Sequence, residues 1–152
     1  KMKKPKLLII SINKEVEPAI LEDLKKGYLV ATKFVDKRDY DSAIIMTHQY
    51  HPDIILIDGM LGKYGMAAIN SKRPINSRLI VPKYKTTEDG EAIWSGTYER
   101  IVRIDIIKEP WIASDDHDQL SFYVDYGQPV VLDEWQEQAK EESIEVVPGK
   151  SE

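Results

Sequence analysis

Asp58 is the residue whose type and setting most clearly allow chemistry. It closes the run His51-Pro52-Asp53-Ile54-Ile55-Leu56-Ile57-Asp58-Gly59, in which four consecutive apolar residues stand between Pro-Asp and Asp-Gly. So short a run, apolar on both faces, reads as a central strand of a covered parallel sheet. Asp58 then sits at the carboxyl end of a buried strand, where open α/β sheets place their sites. A carboxylate there can carry function, or it can serve the strand-to-loop turn, which Asp also favours. Other chemistry is sparse. The chain has no cysteine, which excludes disulfides, thiol catalysis and thiolate metal sites. His48, His51 and His117 are too scattered for a metal site. No nucleophile–base pair or phosphate-binding loop is present.

The elements that must position Asp58 follow from the patterning. Lys6 to Ile12 reads as a first strand. Val16, Ile20 and Leu24, spaced by four, mark a helix over Asn13–Lys26 with Pro18 in its first turn and Gly27 as its stop. Tyr28–Val35 reads as a strand, Arg38–Tyr50 as a helix that Pro52 ends, and Ile54–Asp58 as the third strand. Met66, Ala67 and Ile69 suggest a third helix closed before Pro74, and Ser77–Val81 a strand ended by Pro82. This alternation predicts a parallel sheet with helices on both faces. Thr86–Thr97 reads as a helix or as a hairpin about Asp89-Gly90, and Ile101–Ile107 as a strand. A helix capped by Ser114 and holding Leu120, Tyr123 and Val124 is favoured slightly over a hairpin turning at Gly127. Trp135–Glu142 is a short charged helix candidate.

Composition sets the frame. The chain has 152 residues, 42% apolar and 31% charged, an ordinary globular balance. Its net charge of -5 argues against a nucleic-acid or membrane-surface protein. The apolar run from Leu7 to Ile10 is too short for a signal peptide or a span, so a cytoplasmic protein is expected.

With that order in place, the chain resembles the receiver domain of two-component response regulators over roughly residues 6–126. The resemblance implies a flavodoxin-like, doubly wound parallel five-stranded sheet with helices on both faces, followed by an extension or linker over 127–152. Asp58 matches the family's phosphoacceptor, Gly65 its loop glycine, and Lys108 before Glu109-Pro110-Trp111 its switch lysine with one residue inserted. Two parts of the pattern are replaced. The acidic pair that holds Mg²⁺ falls on Ser11 and Ile12, and the hydroxyl residue closing strand four is replaced in Val81-Pro82-Lys83-Tyr84. Phosphoryl transfer to a carboxylate needs a cation to offset charge, so the resemblance implies a pseudo-receiver without Mg²⁺-dependent phosphorylation. No metal or cofactor is expected, and Asp58 is expected to pair with Lys108. Alternatives are a working receiver with Asp58 as phosphoacceptor, or a flavodoxin-like enzyme using the same sheet end.

The expected role is a regulatory, non-enzymatic interaction module acting on a protein partner or on its own output domain. Receivers commonly dimerise through their last sheet edge, which implies a homodimer here. Trp94, Tyr98, Arg103, Asp105 and Trp111 supply aromatic anchors and charges for that face. A fragment around Tyr84, Gly90 and Trp94-Ser95-Gly96 is similar to the DNA-binding tails of bacterial nucleoid proteins. The basic loop of that family is Thr97-Tyr98-Glu99-Arg100 here, which argues against direct DNA contact.

Overall fold

The computed structural model describes residues 4–58, 61–107, 121–130 and 132. Six strands and three helices follow in the order β1 (Lys6–Ser11), α1 (Pro18–Lys25), β2 (Leu29–Phe34), α2 (Tyr40–Tyr50), β3 (Ile54–Asp58), α3 (Gly62–Lys72), β4 (Arg78–Thr86), β5 (Ala92–Ile107) and β6 (Ser121–Val130). They form one sheet of order β2-β1-β3-β4-β5-β6. The first four strands are parallel in the flavodoxin-like order, as the alternating pattern predicts.

The period of two along each central strand divides its side chains between two cores. Leu7, Ile9, Ile54, Leu56 and Ile80 pack with Ile20 and Leu24 of α1. Leu8, Ile10, Ile55, Ile57 and Leu79 pack on the opposite face with Ala43 of α2 and Ile69 of α3. Burial on both faces is the reason the central strands read as unbroken apolar runs.

Local chemistry sets the helix ends. α1 begins at Pro18 rather than at Asn13, because proline suits the first helical position and no interior one. Asp39 caps α2 by accepting from the Ser42 N–H at 3.1 Å, and His51 ends it in the left-handed region with φ 55°. Gly65 lies inside α3, not in the expected loop. An added Cβ there would come within 2.6 Å of Tyr40 Cε1, so the glycine lets the Tyr40 ring lie against the helix. The Tyr40 hydroxyl donates to the Leu61 carbonyl at 3.2 Å.

The chain departs from the expected helix–strand–helix after β4. β5 is antiparallel to β4, and β6 antiparallel to β5, so among the described residues the sheet carries six strands, the last two added to the parallel set. Thr86–Thr97 is not a helix but the Asp89-Gly90 hairpin. Gly90 has φ 84°, and the Thr87 N–H donates to the Glu91 carbonyl at 2.8 Å. Ile93, Trp94 and Tyr98 favour a pleated surface, and Gly90 supplies the turn. The β4–β5 register passes from Lys83↔Thr97 to Tyr84↔Trp94, so Ser95 and Gly96 form a bulge, with Gly96 at φ 90°.

β6 also departs from both readings of its region. Residues 121–124 are strand rather than helix, and the strand continues through Gly127 instead of turning there. It thereby crosses the boundary expected between residues 126 and 127, and Leu132 is buried in the α1-side core. The expectations for Lys108, Trp111, His117 and Trp135–Glu142 lie outside the described residues.

Candidate functional site at the carboxyl end of the parallel strands

Strand register brings Ser11 and Asp58 side by side at the ends of β1 and β3. Both are buried. The Ser11 hydroxyl donates to Asp58 Oδ2 at 3.3 Å and accepts from the Asn13 N–H at 2.9 Å. One hydroxyl thus ties the carboxylate to the loop that leaves β1. Ile12, expected from the resemblance at the second acidic-pair position, is 38% exposed and adds no ligand. Among the described residues, no group of three or more His, Cys, Asp or Glu side chains could hold a metal ion.

Tyr84 joins this end of the sheet although it lies four residues past Ile80, where the β3–β4 ladder stops. Its phenol is pushed up to about 12, first by burial and then by the charges of Asp58 and Glu17. Its hydroxyl donates to Glu17 Oε2 at 3.5 Å. Tyr84 therefore remains a neutral hydrogen-bond donor across ordinary pH, beside two carboxylates. Strand parity contained the signal for this grouping. Ser11 follows Leu7 and Ile9, Asp58 follows Ile54 and Leu56, and Tyr84 follows Ile80, each in steps of two on the α1 face. Sequence reasoning took Pro82 as the end of the strand and so placed Tyr84 in a loop.

Of the remaining expected site residues, Trp94 and Tyr98 lie apart from this cluster. Tyr98, expected on an association face, is fully buried, and its hydroxyl donates to Asp23 Oδ2 at 2.9 Å. The cause is β5 itself, which turns Tyr98 onto the α1 core opposite Pro82. Trp94 packs beside it with ring centroids 5.4 Å apart, and its indole N–H donates to the Thr97 carbonyl at 2.9 Å. Arg103 and Asp105 lie on β5 opposite Asp125 and Tyr123. Lys108, the expected partner of Asp58, and Trp111 lie outside the described residues. His48 meets the Lys72 carbonyl at 2.6 Å at an exposed helix end, and His51 caps α2, so neither faces the site.

Comparison with protein-family models, curated proteins and solved structures finds no match to this chain. Among the described residues, no helix is long and apolar enough to cross a membrane.

Proposed function

We propose that the chain is a pseudo-receiver, a regulatory interaction module of cytoplasmic two-component signalling or transcription control that acts without Mg²⁺-dependent phosphorylation. The observation that carries the reading is the Ser11–Asp58 contact. An aspartate holds the phosphoacceptor position at the end of β3, while its register neighbour offers a hydroxyl where the family places an acid. A divalent cation at this point has one carboxylate to bind and loses most of the anionic ligands it needs. The segment past Ile80 also departs from a phosphorylation switch, because β4 runs on through Pro82 to Thr86 where the family has a mobile hydroxyl-bearing loop.

Incubation with acetyl phosphate and Mg²⁺ is expected to leave the intact mass unchanged. A stable Mg²⁺-dependent adduct on Asp58 would replace this reading with that of a working receiver. On the proposed reading the partner is a protein or the module's own output domain, and the module self-associates through the β5 side of the sheet. Tyr98 is committed to the core and β5 lies between β4 and β6, so on this reading the association runs over a face of the sheet and not along an edge strand. Sedimentation is therefore expected to show a dimer that Arg103→Glu weakens. A dimer indifferent to this charge reversal would remove β5 from the contact.

A further inference from the structure

β2 ends the sheet, with β1 as its one described neighbour. Two hydrogen bonds fix which of its backbone groups face outward. The Leu29 N–H donates to the Pro5 carbonyl and the Val35 N–H to the Ser11 carbonyl, both toward β1. Backbone groups alternate between the two sides of a strand, so those of Ala31 and Lys33 also face β1. Val30, Thr32 and Phe34 turn theirs to the open side. Such a row of N–H and C=O groups is a template for one more strand. Extended peptides add to sheet edges in this way.

The side chains select what can bind there. Val30 packs on the α1-side core, and Thr32 and Phe34 follow it in steps of two. Ala31 and Val35 belong to the opposite core, which puts Lys33 on that face. Lys14 Nζ lies 5.8 Å from the Phe34 ring centroid, and exposed Lys25, Lys26, Lys37 and Arg38 bracket the strand in the chain. These cations belong to a wider asymmetry. Residues 1–38 hold 10 basic and 5 acidic residues, whereas the rest of the chain holds 11 and 21. A second copy is therefore a poor occupant. Antiparallel pairing about Thr32 would set Lys33 diagonal to its counterpart and bring two such basic regions together.

We infer that the outer edge of β2 takes up an acidic extended segment of another protein, with acidic and β-branched residues alternating along it. The acids of that segment stand on the Lys33 face, and its apolar residues beside Val30 and Phe34. Opposite-charge and aromatic–β-branched neighbours are the pairs that stabilise a sheet. Affinity comes from the backbone ladder and selectivity from the alternating side chains. The inference names a partner's chemistry and does not depend on the receiver reading.

Amide hydrogen exchange on the full chain at low salt tests it, with the capped heptapeptide Glu-Val-Glu-Val-Glu-Val-Glu as the probe. At saturation the Val30, Thr32 and Phe34 amides are expected to exchange at least about tenfold more slowly. The β3 amides, which report the fold, are expected not to change. The Lys-Val counterpart at the same concentration is expected to have no effect. Thr32→Pro removes the central outward donor, a change that an edge strand tolerates, and is expected to abolish the slowing. Lys33→Glu leaves the backbone intact and is expected to weaken the acidic peptide about fivefold. No slowing in the unaltered chain would overturn the inference, as would equal slowing by the Lys-Val peptide. Binding that survives Thr32→Pro, or that is indifferent to Lys33→Glu, would do the same. Outward amides already protected without peptide would assign the edge to the chain itself or, where dilution releases them, to a second copy, and either result overturns it.

Discussion

Tyr98→Ala is expected to lower the stability of the folded chain by about 3–5 kcal/mol, the usual loss for truncating a buried large aromatic. The side chain is fully buried and belongs to the core that joins β1, β3 and β4 to α1. Truncation removes the contact with Trp94 and leaves a void that the surrounding strands, held by the ladder with β4, cannot close. It also leaves Asp23 without the hydroxyl that donates to it at 2.9 Å. Tyr98→Phe isolates this last effect and is expected to cost about 1 kcal/mol, the net worth of a typical hydrogen bond. Urea unfolding at two protein concentrations checks both values. Tyr98 at an association face predicts a loss that depends on concentration, whereas Tyr98 in the core predicts the same loss at each. A midpoint for Tyr98→Ala within error of the unaltered chain would contradict the core assignment.

Ser11→Asp is the second large effect, and its size depends on pH. Residues 11 and 58 are register partners at buried strand ends, so the substitution places two carboxyl groups where one hydroxyl now donates to one carboxylate. Two carboxylates sharing a buried site cannot both ionise cheaply, and the native pair retains a proton that the unfolded chain releases. The folded state then binds more protons than the unfolded state, so stability falls as pH rises. In acid, with both groups protonated, the penalty is small. Near neutral pH it is expected to reach about 3 kcal/mol, the scale of an uncompensated buried charge. Urea midpoints at pH 4 and pH 7 measure the difference. Added Mg²⁺ is expected to recover part of the neutral-pH loss, because a divalent cation offsets the doubled charge. An equal loss at both pH values would show that the aspartate disturbs packing rather than electrostatics, and would count against a lone carboxylate at the end of β3.

The sequence by itself determined the parallel half of the molecule and the place of Asp58. Ile54–Asp58 is a strand at the bounds its flanking Pro and Gly predict, and α2 ends at Tyr50, before Pro52. These elements were legible because a strand buried on both faces must be apolar throughout, and because proline and glycine act on their own few residues. Ser11 was reached, together with Ile12, only through the resemblance to receivers, and the register of β1 with β3 is what sets it beside Asp58.

The antiparallel half was decided by tertiary structure. Thr86–Thr97 carries Ala92, Ile93 and Trp94 in a spacing that suits a helix as well as a strand. What separates the two is the ladder with β4, to which a local pattern is blind. Pro82 misled for the same reason. Proline ends a strand that is paired on both sides, but it is harmless where the ladder on its nitrogen side has already ended, and the end of the β3 ladder at Ile80 is set by the packing of two strands. Tyr98 read as an interface anchor because aromatics suit interfaces and cores alike. Its burial was settled by the strand parity that β5 acquires only once its register with β4 is fixed.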